Sequence, residues 1–250
     1  MERMRTPRGL FFPGEIMIPS STPADTEKEI RNRKALEKAK RLGWEEDPHT
    51  LWTDGSAFPS GVAAAAVVGF VEPATAEVGP ECVTVTSGGS LGTRLKGNRK
   101  RVGARKTYDM RTRSFVKRDS MGGFRGEVWS LGAQSMAFDA EVQALVRAVE
   151  ICALDATEGT RFRIFTDSQA AMRRLQDDRP GLGQNLAIRA IRIARAGIYG
   201  RGATVSIQWI PGHQRVMGNE LADAYARDEA ERAELLRKAR VERSDEAREK

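Results

Sequence analysis

The sequence predicts a mixed α/β fold on three observations. Short apolar runs of strand type alternate with longer helical patterns from residue 50 onward. Two of the runs end in an aspartate followed by small or polar residues: Asp54 in Leu-Trp-Thr-Asp-Gly-Ser and Asp167 in Arg-Ile-Phe-Thr-Asp-Ser-Gln. The resulting order, strand–strand–strand–helix–strand–helix–helix–strand–helix, implies a mixed sheet covered by helices.

The first strand is expected at 50–54, a second, buried one at 63–71 and a third at 127–135. Phe138, Val142, Leu145, Val146, Val149 and Ala153 recur at helical spacing, with Asp139 near the start. Residues 161–166 read as a strand and 168–175 as a helix. Ile188, Ile191 and 194–198 mark a further helix ending near Gly200. The last strand is expected at 204–210. Asn219 is a favourable N-cap, which places Asp223 about one turn into the final helix.

Composition bounds the rest. With 40% hydrophobic and 30% charged residues, a 250-residue chain can build a packed core and still carry charged tails. The net charge of +7 is uneven: residues 90–126 hold 12 Lys or Arg against 2 Asp or Glu, so the remainder of the chain is slightly acidic. Such a segment suits an anionic partner. Cys82 and Cys152 are far apart and lack metal-ligand spacing; Cys152 reads as an ordinary buried thiol, and a reducing compartment is expected. The longest apolar stretch, 62–71, is too short to span a bilayer, and Pro13 and Glu15 interrupt any signal-like run. The expectation is a soluble intracellular protein, cytoplasmic or nuclear, with no membrane partner.

Residues 1–47 read as a charged N-terminal extension or linker, with a solvated helical run at 25–41. Residues 48–228 form the main domain, interrupted at about 87–126 by the basic insertion, which is expected to be a long loop. Residues 229–250 form a charged tail. From 226 to 250 there are 8 basic and 8 acidic residues, which suits an exposed helix with alternating ion pairs or a disordered segment.

Four acidic residues carry the chemistry: Asp54, Asp167, Glu141 in Phe-Asp-Ala-Glu-Val-Gln-Ala-Leu, and Asp223 in Gly-Asn-Glu-Leu-Ala-Asp. A carboxylate at the end of a buried strand is rigidly held at the sheet edge, as a hard cation such as Mg²⁺ requires. Glu141 falls on the flank of its apolar stripe and can reach a site beside the sheet. Asp139 lies about 200° from Glu141 around the helix, so it is read as a helix N-terminal residue, and Glu220 as a capping residue. His213, in Pro-Gly-His, lies in the loop before the final helix. His49 has no such context and is read as structural or incidental.

Thr-Asp-Gly-Ser, a helical Ala-Glu, Thr-Asp-Ser-Gln and the block Trp-Ile-Pro-Gly-His-Gln-Arg-Val-Met-Gly-Asn-Glu-Leu-Ala-Asp stand in the order found in type 1 ribonuclease H. The chain resembles that family over roughly residues 48–228, and is most similar to the versions attached to reverse transcriptases of retrotransposons. The resemblance implies a ribonuclease H-like fold: a five-stranded mixed sheet flanked by helices, with the long basic insertion between the second and third strands. In that fold the first three strands are antiparallel and the fourth lies parallel beside the first, which makes Asp54 and Asp167 neighbours.

The implied activity is endonucleolytic hydrolysis of the RNA strand of RNA–DNA hybrids, leaving 5′-phosphate and 3′-hydroxyl ends. The implied cofactor is a pair of Mg²⁺ ions about 4 Å apart, with Mn²⁺ as a substitute. By resemblance, Asp54 is shared by both metals, Glu141 and Asp167 hold the ion near the leaving group, and Asp223 holds the ion near the attacking water. His213 then carries a proton and assists product departure. Gly55, Ser56, Ser168, Gln169 and Asn219 match positions lining the substrate groove, where small residues and amides can contact 2′-hydroxyls.

Two departures from the pattern stand out. Between Gln176 and Gly202 there is room for little more than one helix, so the family's separate basic handle is missing. The insertion occupies the place of a tight turn, and a run such as Arg99-Lys100-Arg101 through Arg105-Lys106 would bind phosphates without sequence preference. Nucleic acid gripped through this basic loop is thus a second expected contact, against the alternative of an inert loop. A retroelement remnant that binds without cutting, and a nuclease of the same fold with another substrate, are the rival functions. A place within a larger reverse transcriptase polyprotein fits the resemblance, although no polymerase motif is present in this chain.

Overall fold

The computed structural model describes residues 10–19, 25–41, 47–70, 82–83, 106–109, 114–118 and 124–248. Its elements are β1 (Glu15–Met17), α1 (Asp25–Arg41), β2 (Thr50–Ala57), β3 (Ala63–Phe70), β4 (Cys82–Val83), β5 (Lys106–Asp109), β6 (Ser114–Arg118), β7 (Phe124–Gly132), α2 (Ala137–Asp155), β8 (Arg161–Thr166), α3 (Gln169–Gln176), α4 (Gln184–Ile193), β9 (Thr204–Trp209) and α5 (Met217–Arg248).

The strands form one sheet in the order β1-β9-β8-β2-β3-β7-β6-β5-β4. At its centre β2, β3 and β7 are antiparallel, while β8 lies parallel to β2 and β9 parallel to β8. This is the five-stranded mixed sheet that the motifs predict. Thr53, Thr166 and Trp209 share a register level at the ends of the three parallel strands. Asp54, Asp167 and the 210–213 loop therefore follow at one edge of the sheet.

Both faces are covered because side chains on a strand alternate. Leu51 and Ile164 pack into a core with α2, α3 and α4, whereas Trp52 and Phe165 pack into a second core with α5 and Ala39 of α1. The run Ala63–Ala66 is fully buried, and Ala63 and Ala65 pack against Ala140 and Ala144, which lets α2 lie close over β3.

Several boundaries differ from expectation for identifiable reasons. Strand β2 continues past Asp54 to Ala57 because β3 keeps pairing with it down to Ala63. Strand β7 lies three residues earlier than predicted; Phe124 pairs with Phe70, and the strand ends at Gly132, where φ is +83°. Asn219 is not an N-cap. Helix α5 begins at Met217, and Asn219 is buried within its first turn.

Part of the segment expected to be a linker or solvated helix is built into the fold. β1 adds a parallel edge strand to β9, Phe12 is buried with the α2–α4 core, and Ala39 of α1 is buried against the Trp52 core. A three-residue strand is too short to show periodicity, which is why the sequence pattern missed it. Of the two readings of the C-terminal tail, the helix is found: α5 runs to Arg248. Glu229 and Glu234 are buried on it and paired with Arg232 and Arg237, and Ser60 donates to Glu234 at 2.7 Å.

In the basic insertion, β6 pairs antiparallel with β7 and β5 with β6, while β4, just ahead of the insertion, pairs with β5, so a stretch expected as a loop carries two short strands. Arg99, Lys100, Arg101 and Arg105 lie outside the described residues. Cys152 is buried and free, and burial pushes its thiol pKa up. His49 packs edge-on against Phe162 at 5.3 Å. Among the described residues, no helix is long and apolar enough to cross a membrane.

Candidate active site

Two glycines let helices approach the sheet edge. Gly55 lies under the start of α2, where a Cβ would fall 2.5 Å from the Glu141 amide nitrogen, so Glu141 is carried directly over β2. On the other face, a Cβ at Gly218 would overlap the Trp52 indole. Helix α5 thus rests on Trp52, with Asp223 little more than one turn further along.

Each carboxylate is held by a neighbour. The Gly55 N–H donates to Asp54 Oδ1 at 2.7 Å. Ser168 Oγ donates to Glu141 Oε2 and accepts from the Ala171 N–H at 3.2 Å, which makes it both an N-cap of α3 and a brace for Glu141. The Asn219 side chain hydrogen-bonds the Asp167 carboxylate. The Asp167 backbone carbonyl accepts from the Trp209 indole N–H at 3.0 Å. Arg227, one turn along α5, pairs with Asp223.

The electrostatics show that the four share one field. Burial, followed by the charge of Asp167 and then those of Asp223 and Glu141, pushes the Asp54 carboxyl up to about 8. Glu141 is raised by burial and by the charge of Asp167, against the Ser168 hydrogen bond. Asp167 is raised by burial and by Asp223, against the Asn219 hydrogen bond and the charge of His213. Among the described residues no three His, Cys, Asp or Glu side chains meet at one point in liganding geometry. The carboxylates interact through space while Gly55, Ser168, Asn219 and Arg227 each hold one of them. As a donor set, four carboxylates with three pKa values raised by burial and mutual repulsion fit a hard divalent cation, whose charge would relieve that repulsion.

The remaining expected residues are placed as follows. His213 is exposed, has φ +55° and acts electrostatically on Asp167. Ser56 is half-buried on β2, opposite Ala64. Gln169 accepts from Arg173 at 2.7 Å. Asp139 caps α2 by accepting from the Met136 N–H at 2.9 Å, and Glu220 accepts from the Arg215 N–H at 3.2 Å.

Sequence reasoning missed four contributors. Gly212 leaves room for Asp167, since a Cβ there would fall 2.5 Å from Oδ2. Gly218 seats α5, and Trp209 braces the Asp167 backbone. Arg227 was legible in principle, because it stands four residues after Asp223.

Residues 125–231, which include Glu141, Asp167, His213 and Asp223, match the family model for RNase H. Over that span the chain is similar to ribonuclease H. Asp54 lies ahead of the matched span, on β2, and its charge neighbours are Asp167, Asp223 and Glu141. No curated protein sequence matches the chain. Among solved structures, the N-terminal RNase H domain of a Mycobacterium tuberculosis protein, fused to maltose-binding protein, is 13% identical with a TM-score of 0.42, covering 74% of this chain and 96% of that one. RNase H1 from the halophilic archaeon Halobacterium salinarum is 19% identical with a TM-score of 0.38, covering 73% and 96%. LC11-RNase H1, solved with an RNA/DNA hybrid, is 15% identical with a TM-score of 0.43, covering 74% and 97%.

Proposed function

We propose that the chain is a metal-dependent endonuclease that cuts the RNA strand of RNA–DNA hybrids, leaving 5′-phosphate and 3′-hydroxyl ends. The observation that carries the reading is the shared field of Asp54, Glu141, Asp167 and Asp223, strong enough with burial to push Asp54 to about 8. Carboxylates brought together at such a cost in charge repulsion are the signature of a site made for cations.

Asp54, Glu141, Asp167 and Asp223 would hold two Mg²⁺ ions, with Mn²⁺ as a substitute. Bound there, the ions would activate water and neutralise the leaving oxygen. The chain's own residues do the positioning. Ser168 orients Glu141, Asn219 and the Gly212 turn orient Asp167, and Arg227 pairs with Asp223. His213, exposed beside Asp167, is placed to carry a proton between the site and solvent. Gly55, Ser56, Ser168, Gln169 and Asn219 surround the carboxylates as candidate contacts to the sugar edge of the hybrid.

The test is cleavage of end-labelled RNA–DNA hybrid, RNA duplex and DNA duplex with and without Mg²⁺. The reading requires Mg²⁺-dependent cutting of the hybrid's RNA strand with the stated end groups. Equal cutting of all three substrates, or of none, overturns it.

A further inference from the structure

A second candidate site lies toward the β1 side of the sheet, beyond the carboxylates. Between α1, β1 and β9 is a cavity of about 630 Å³ lined by Arg31, Lys34, Lys38, Gln208 and Trp209 together with five apolar or proline residues of β1, its flank and α1. The described lining holds three cations and no acidic side chain. Gln208 is 3% exposed, and neither its amide nitrogen nor its amide oxygen has a hydrogen-bond partner. Arg31 lies over the Trp209 ring at 5.2 Å, and its Nε is likewise buried without a partner. The Lys38 ammonium contacts the thioether of Met17, a weak acceptor. Buried amides and guanidinium nitrogens are ordinarily paired, so donors left unpaired around a cationic cavity point to a ligand rich in acceptor oxygens.

We infer that this cavity is a phosphate-binding subsite that grips the backbone of the nucleic acid beside the cleavage site. Arg and Lys supply the charge-assisted donors that a phosphodiester accepts, and Gln208 adds a neutral one from below. The position favours a backbone phosphate over a free anion. Trp209 is level with Thr166, and its indole N–H bonds the Asp167 carbonyl, so the cavity wall and the carboxylate share a brace. Strand β9 stands two strand spacings from β2, roughly 10 Å, and a duplex centred on the carboxylates extends at least that far. The N-terminal segment thereby supplies a grip beside the carboxylates. The inference rests on the proposed function for the identity of the duplex, not for the phosphate chemistry.

The experiment measures binding of a fluorescent RNA–DNA hybrid by the full-length chain, with Asp54→Asn to keep the substrate uncut in Mg²⁺, across a salt series. Lys34→Ala with Lys38→Ala is expected to weaken binding about tenfold at low salt and to reduce the salt slope by about one for each phosphate no longer neutralised. The pair Lys34→Arg with Lys38→Arg should restore it. Gln208→Leu, which replaces an unpaired amide with an apolar group, is expected to weaken binding while the Tm holds or rises. Salt lines of equal height and slope for the alanine pair and its parent overturn the subsite. If the wild-type chain fails to cut hybrid while the alanine pair still binds more weakly, the ribonuclease reading falls and the phosphate site stands.

Discussion

Gly218 of α5 lies so close against the Trp52 indole that a Cβ would overlap the ring, an approach only glycine permits. The pair joins core to chemistry: Trp52 is fully buried in β2 two residues before Asp54, and Gly218 precedes Asp223 by five residues on α5. Gly218→Ala should therefore push α5 off the sheet. The expected overpacking penalty is about 1–3 kcal/mol, seen as a Tm several degrees lower, together with a loss of cleavage greater than the unfolded fraction explains. An unchanged Tm and turnover would show that α5 is not seated through this contact.

The acidic cluster makes stability depend on pH. The Asp54 carboxyl titrates at about 8 in the folded chain against an ordinary 3.8, because of burial and then Asp167. Between those values the folded state keeps a proton that the unfolded chain releases, so stability falls as pH rises from about 4 to about 8. Asp54→Asn removes this penalty. In EDTA its Tm should match wild type near pH 4 and exceed it by several degrees at pH 8, and Mg²⁺ should narrow the gap by stabilising the wild type. Cleavage should be abolished in Asp54→Asn and in Asp167→Asn, with Glu141→Gln similar. A Tm difference independent of pH would remove Asp54 from the cluster.

Ser168 performs two tasks through one hydroxyl. Ser168→Ala leaves Glu141 without its donor and α3 without its cap, which predicts a loss of about 1 kcal/mol in stability and roughly 10–100-fold in Mg²⁺ affinity. Ser168→Thr keeps the hydroxyl and should recover most of both. Titration of activity against Mg²⁺ reads the second effect separately from the first, and an unchanged midpoint in the alanine variant would leave Ser168 as a cap only.

His213→Ala is expected to slow turnover by roughly 100-fold without eliminating it, since solvent can partly replace a proton carrier but not a metal ligand. The deficit should shrink in single-turnover measurements, where product departure does not count. Complete inactivation with intact metal binding would contradict the role.

How much of this was legible in the sequence follows from where the information lies. Asp167 was placed just past its strand because the apolar run ending before Asp-Ser-Gln marks a strand end locally, whereas β2 runs on past Asp54 to Ala57. The pairing of β2 with β8 that brings the two strands together was implied by the family resemblance and not by the local runs. Asn219 was misplaced because an isolated Asn looks like a cap. Its actual place, buried and bonded to Asp167, depends on the long-range docking of α5. Gly212 and Gly218 carry no local signal, since the close approaches that require them come from Asp167 and Trp52, 45 and 166 positions away along the chain. β1 was invisible for a related reason: three edge residues acquire strand geometry only from β9, nearly two hundred residues later.

The last prediction concerns the basic insertion, whose charge has no counterpart elsewhere in the chain. Residues 90–126 carry a balance of +10, and the backbone of β4, β5 and β6 extends the sheet beyond β7, the edge opposite β1. The segment is therefore proposed as a grip on the hybrid on the far side of the carboxylates from α1. Deleting 94–118 would be a poor test, because it removes β5 and β6 and exposes the edge of β7 as a template for aggregation. Replacing Arg99, Lys100, Arg101 and Arg105 by Gln leaves every paired strand residue in place. If the grip is real, each phosphate no longer neutralised lowers the slope of log affinity against log salt by about 0.9. Cleavage at saturating hybrid should be largely kept, because no proposed metal ligand lies in the segment. An inert insertion predicts salt lines that superimpose for the two chains, and that result would remove the insertion from the binding surface.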